Sequence, residues 1–423
     1  MVANLTTPLI GVVSTIAIGR LGDPTLLGGV AIASVIFDCL FWLFSFLRTS
    51  TVAFTAPALG SGETQEIRAL LVRGLAIAAL VGLSLIVFQM PLGLILLDAM
   101  GGSEGVTRAA RAYFAIRIWS APIVLANFVV LGWLIGQARA GLALAIQIVI
   151  NMAATVALVT GMKAGIEGAA IAAVMAETVG LVLGIIVART ITHQPLNVPR
   201  AALLDRAKLW RMLTVNRDIM IRTAALIAAL LFFTAQGARA GDVVLAANAV
   251  LNNFLLISAF FLDGLANAAQ QLCGQAYGAR DRSAFSDAVR LVLSWGFGFA
   301  MVVALVFALF GPWLIHTMTA SDNVQQTAQD YLWFVVASPL LAVFAFGYDG
   351  IFIGATWARE MRNLMILSLL GFLATWFALR DLGNTGLWIA MLVLYASRGG
   401  LQALRYPVNL RASFAQIAAA GAG

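Results

Sequence analysis

Asp263 is an ionisable group inside a long apolar run, and it is not isolated there. Asn252 precedes it by eleven residues, while Asn267 and Gln270 follow by four and seven, so at 3.6 residues per turn these side chains form one helical stripe. A polar stripe in hydrocarbon has to face a wet cavity or another helix. Hydrogen bonding between helices is the plainer of those two explanations. A second constellation begins at Asp38, with Trp42, Ser45 and Thr49 at i+4, i+7 and i+11 and with Phe37, Phe41 and Phe44 on a neighbouring face. An acid beside aromatic walls suits an organic cation, which gains from the charge and from the ring quadrupoles. The alternative is that Asp38 pairs with an arginine such as Arg48 while the rings serve as core or face lipid. Further candidates are Gln147, Asn151 and Thr155, spaced by four, together with Glu177 and, at lower rank, Asp349. Asp218 and Arg222, one turn apart, read as a local i,i+4 ion pair. Pro8 bends the first apolar run and Ser14 lies deep within it, so both are candidates for a gate. His193 and His316 lie outside the apolar cores, and no nucleophile-base or metal-ligand spacing is present, so the sequence points away from an enzyme.

The elements that must hold these residues are membrane helices. With 61% hydrophobic residues, 11% charged residues and a mean hydropathy of +0.95, the 423 residues read as an all-α polytopic membrane protein. Twelve apolar runs cover 5–18, 28–58, 70–97, 113–135, 142–160, 168–188, 215–234, 245–272, 284–315, 331–353, 364–379 and 386–404. The one long connection, 190–214, divides a first six-helix lobe, 1–189, from a second, 215–410, with a tail at 411–423. Cys39 and Cys273 sit within apolar runs, so neither a disulfide framework nor a zinc site is expected. Of the 26 Lys and Arg residues, 17 fall in connections on one side, 7 on the other, and Arg48 and Arg222 inside helices. That bias places both termini and the central connection in the cytoplasm of a bacterial inner membrane, and it accounts for the net charge of +7 without any nucleic-acid partner.

The lobes repeat one another. Adding 218 carries Gly60 to Gly278, Gly93 to Gly311, Tyr113 to Tyr331, Gly136 to Gly354 and Gly165 to Gly383. Two bundles of like orientation, related by an axis along the membrane normal, are therefore expected. The same offset maps Met1 to Met220, already several residues into the seventh run, so the chain reads as lacking part of its first turn or two.

VNRDIMIRT, GDVVLAANAVLNNFLLISAFFLDG and GQAYGARD in the second half, with PLIGVVSTIAIGRLGDP and IFDCLFWLFSFLR in the first, resemble the DinF branch of the MATE multidrug and toxic compound extrusion transporters. The resemblance spans essentially the whole chain. It implies alternating access around a central cavity and export of organic, often cationic compounds, driven by proton or sodium influx rather than by a bound cofactor. The implied partners are the bilayer and a small organic substrate, with the protein acting as a monomer. Of the branch's patterns, Asn151 and Asp263 carry over, but Ser14 stands where an aspartate is usual, Thr155 replaces the acid four residues after Asn151, and Gln270 replaces a glutamate. Serine and threonine cannot change charge near neutral pH, so coupling is expected at Asp38, Glu177 or Asp263. A flippase for a lipid-linked or amphipathic molecule and a degenerate, non-transporting protein are the alternative readings.

Overall fold

The computed structural model describes residues 24–101, 103–139, 141–143, 145–146, 148–149, 165–192 and 198–421. Pro8, Ser14, Gln147, Asn151 and Thr155 lie outside them. The described residues are helical, without a strand, and ten of their helical stretches are long and apolar enough to cross a membrane. Such helices form because lipid offers no partner to backbone N–H and C=O groups, which must therefore bond within their own segment.

Two compact units divide between Leu213 and Thr214, with Gly60–Gly62 counted in the second. The first contains α1 (Pro24–Phe44), α2 (Phe46–Gly60), α3 (Thr64–Val87), α4 (Gln89–Ala99), α5 (Glu104–Arg117), a single 3-10 turn at Ile118–Ser120, α6 (Ala121–Gly136), α7 (Gly165–Thr192) and α8 (Arg200–Leu203). Here α3 packs on α6, α1 on α5, and α7 on both α5 and α6. The connection 190–214 is not bare chain. Arg73, 3% exposed, donates to the carbonyl oxygens of Ala202 and Leu203, closing the end of α8, and pairs with Glu66 at 2.7 Å. Glu66 also binds Lys208 at 2.8 Å, which fastens the connection to α3 from a second point.

The second unit takes up α9 (Arg206–Arg239), which begins before the boundary, and holds α10 (Asp242–Gly278), α11 (Arg282–Met318), α12 (Asp322–Gly354), α13 (Ala358–Ala378) and α14 (Asn384–Gly421). Residues 411–421 continue α14 as helix. The 33 residues of α12 make a rod of about 50 Å, longer than the ~30 Å of hydrocarbon, so it must tilt or project. This helix is central to the unit, packing on α10, α11 and α14. Its approach to α10 is close enough that a Cβ on Gly350 would stand 2.5 Å from the Ala266 carbonyl oxygen, which only glycine permits. Phe233 and Phe254, both essentially sealed, meet Trp388 and Phe307 edge to face at 5.0 Å in the apolar core of this unit.

Local backbone geometry recurs at the 218-residue spacing. Ala138 and Thr356 both adopt left-handed φ, 60° and 59°, and so do Gly62 and Arg280 at 74° and 59°. Each residue follows a helix and is closed by matching bonds: Arg139 N to Leu134 O corresponds to Trp357 N to Phe352 O, and Glu63 N to Ala58 O corresponds to Asp281 N to Ala276 O. These are 6→1 bonds that satisfy carbonyls left over at a helix C-terminus. Asp281 then caps α11, its carboxylate accepting from Ala284 N–H at 2.9 Å and from the Ser283 hydroxyl at 2.7 Å. Those bonds to the ionised form hold its carboxyl below the usual range, so the cap weakens only as pH falls through that lowered value.

Candidate functional site

Each unit holds a cluster of charged side chains within its membrane spans. In the first, Arg117 ends α5 and turns inward, its Nη2 lying 3.7 Å from Glu177 Oε1 on α7 while Nη1 donates to the Ser120 hydroxyl. Its guanidinium lies over Phe37 and Phe41 of α1, 5.9 and 5.6 Å from the ring centroids. Arg117 is also the cation whose charge acts on Asp38. Glu177 is held from the other side by Asn127 on α6, whose Nδ2 donates to Oε2 at 2.8 Å and to the Glu177 backbone oxygen at 3.0 Å. Tyr113, 7% exposed, bonds Ser34 and Arg117. Among the described residues Arg117 thus pairs with Glu177, and its charge also acts on Asp38.

The aromatic wall read beside Asp38 is therefore partly occupied. Phe37 and Phe41 are buried and receive the protein's own arginine, so the core role weighed for these rings is the one they play. The charge that acts on Asp38 is that of Arg117, and Asp38 makes no ion pair with Arg48. Asp38 itself is exposed at the surface of its unit, and Trp42 is 43% exposed. The helix that was to carry Ser45 and Thr49 on the same face is interrupted at Ser45, between α1 and α2.

In the second unit Asp349, 4% exposed on α12, is the hub. Arg222 of α9 and Arg398 of α14 both pair with its Oδ2, the latter at 2.7 Å, and Gln402 Nε2 donates to Oδ1 at 2.7 Å. The expected local pair of Asp218 with Arg222 does not form. Asp218 binds Arg362 at 2.6 Å and Arg217 at 3.1 Å, and Arg222 crosses to Asp349; both carboxylates are buried, and each is met by two arginines. Asp263 acts electrostatically on Arg222 and so borders this network. Asn252, Asp263 and Asn267 are half-buried along α10, while Gln270 is 5% exposed and its Oε1 has no partner among the described residues.

Sequence reasoning missed Arg117, Asn127, Arg398 and Gln402, and ranked Asp349 too low. A signal was present for both arginines: each lies within an apolar run, 113–135 or 386–404, yet counted as a connection charge. Among the described residues no group of His, Cys, Asp and Glu is arranged to hold a metal ion.

A family model described as MatE matches residues 1–160 and 219–377. The chain is 39% identical over 401 residues to the DNA damage-inducible protein F of Escherichia coli strain K12, covering 94% of this chain and 87% of that protein. It is 29% identical over 423 residues to a probable multidrug resistance protein NorM of Rhizobium meliloti, with 93% and 88% covered. Among solved structures, a MOP superfamily transporter from Pyrococcus furiosus, described by the reverse polarity of its binding pocket, superposes with a TM-score of 0.88 at 18% identity, covering 98% of this chain and 94% of that one. A MATE protein in its bent conformation gives 0.86 at 18% identity, with 99% and 94% covered. These structural likenesses speak for the fold.

Proposed function

The chain belongs to the MATE family of integral membrane transporters, and from that premise we propose that it is a secondary active efflux carrier working by alternating access. Its cargo in this reading is an organic, cationic or amphipathic compound. Proton influx drives it, in preference to sodium, with no bound cofactor, in a bacterial inner membrane with both termini cytoplasmic, and the unit of function is a monomer. The observation that carries the reading is that Asp38 and Glu177 both lie within the field of Arg117 in the first unit. A carboxylate there is discharged equally by one proton or one organic cation, so the two compete for the cluster, as an antiporter requires.

The test is transport by purified protein in proteoliposomes loaded with a fluorescent lipophilic cation. An inward proton gradient is expected to accelerate efflux, and Asp38→Asn or Glu177→Gln to remove that acceleration, with Asp263→Asn as the third arm. Flux indifferent to the gradient and to all three substitutions would sink the proposal. A flippase for an amphipathic anion is a second reading, favoured by the buried arginines Arg222 and Arg398. It predicts movement of a labelled anionic lipid across the same vesicles without cation efflux.

A further inference from the structure

One face of α9 is uncovered, and its chemistry changes partway along the helix. Arg206, Trp210, Leu213 and Arg217 follow in steps of four, three and four, so they share that face, and all four are exposed, Trp210 at 70%. At the same spacing the face goes on through the exposed Ala224, Ala228, Leu231 and Ala235, with no charge among them. The 34 residues of α9 make a rod of about 51 Å, against ~30 Å of hydrocarbon. Counting the ~20 residues that fill the hydrocarbon back from Arg239 reaches Ile219. Arg222, inside that stretch, is turned inward to Asp349. The first three turns of α9 therefore belong to the end that leaves the hydrocarbon and enters the headgroup layer.

Five cations and one acid lie in 200–217. The acid, Asp205, is spent on the start of the helix, its Oδ1 accepting from the Ala207 and Lys208 backbone N–H at 3.0 and 3.1 Å. Lys208 is held by Glu66. Arg217 touches Asp218 at 3.1 Å and still keeps 56% of its side chain exposed. The outward stripe thus presents arginines on either side of an indole, with no acid on the same face. Guanidinium groups match phosphate oxygens, indoles settle at headgroup level, and basic residues next to a span attract anionic lipid. We propose that the stripe from Arg206 to Arg217 is a docking surface for the headgroups of anionic phospholipid, with Arg217 nearest the hydrocarbon and Arg206 farthest from it. The surface requires only that α9 spans the membrane, and it is the same whatever the cargo or the driving ion.

Native mass spectrometry of the full-length protein, released from micelles titrated with phosphatidylglycerol or phosphatidylcholine, counts bound lipids and chains together. Phosphatidylglycerol is expected to bind about tenfold more tightly than phosphatidylcholine. Each arginine removed from the stripe is expected to lower its affinity about fivefold, so that Arg206→Gln/Arg217→Gln loses tenfold or more. The control Arg108→Gln/Arg380→Gln takes away the same net charge at side chains 79% and 67% exposed, and its affinity is expected to stay at the wild-type value. Equal binding of the two lipids, or equal losses in the two double variants, overturns the proposal. Displacement of phosphatidylglycerol by millimolar inorganic phosphate overturns it in favour of a free-phosphate site. A wild-type dimer that becomes monomeric in Arg206→Gln/Arg217→Gln gives the face to a second copy of the chain and overturns it too. Should the double variant fail to fold, Arg206→Gln alone is read for its fivefold loss, and unchanged affinity there overturns the proposal.

Discussion

Asp38 and Asp349 are both carboxylates within membrane spans, but their surroundings set different consequences for losing the charge. Asp349 balances two arginines in a sealed network, so Asp349→Asn leaves them facing one another without an anion. Removing one partner from a buried ion network costs about 3–5 kcal/mol, and a matching fall in thermal stability of the detergent-purified protein is the expected outcome. Asp38 lies at an exposed position, where loss of an ionic contact costs about 1 kcal/mol or less. Asp38→Asn is therefore expected to retain wild-type melting while losing the response to a proton gradient; equal destabilisation by the two substitutions would contradict this division. The acids were legible as intramembrane charges because their cost in lipid marks them in any apolar run. Their partners were harder to see, since Arg222 and Asp349 are 127 residues apart and nothing in local spacing joins them. A pair one turn apart, Asp218 and Arg222, offered a simpler answer that tertiary packing overrode.

Among the elements, the connection 190–214 shows how a polar segment gains structure from a distant helix. Its short helix α8 could not persist alone at four residues, and Arg73 on α3 holds its carbonyls in place. Arg73→Met removes those bonds and leaves Glu66 with Lys208 alone; a loss of about 2–3 kcal/mol is expected, together with faster proteolysis near Leu204. Cleavage and melting unchanged from wild type would show that α8 is held by other contacts. The helix-ending turns make the opposite prediction. Ala138 is exposed and sits at φ 60°, a conformation that costs a residue with a Cβ about 1 kcal/mol more than glycine. Ala138→Gly should raise stability by about that amount, seen as a small upward shift in melting temperature, whereas a fall would mean that the side chain packs in a way the turn does not require. The helices themselves were readable from length and hydropathy alone. The turns were readable only as a spacing, because Gly62 announces a left-handed residue and Ala138, Arg280 and Thr356 do not.

For the whole molecule, the 218-residue spacing and the distribution of basic residues give one expected topology. In it the turns at Ala138 and Arg280 belong to the basic side, and the connections beginning at Met100 and Thr319 to the other. What the repeat does not carry over is the chemistry: Asp349, Arg398 and Gln402 fall opposite Leu131, Gly180 and Gly184, so the second network has no counterpart in the first lobe. The spacing thus recurs in helices and turns, while the charged side chains of the two units differ. The topology can be tested by single cysteines in a background where Cys39 and Cys273 are replaced. Ser103→Cys and Ser321→Cys should react with a membrane-impermeant maleimide added to intact spheroplasts, because both precede helices on the side poor in basic residues. Ala138→Cys and Ser283→Cys should react only after the membrane is opened. Labelling of Ser103→Cys and Ala138→Cys from the same side would break the alternation on which the proposed orientation depends.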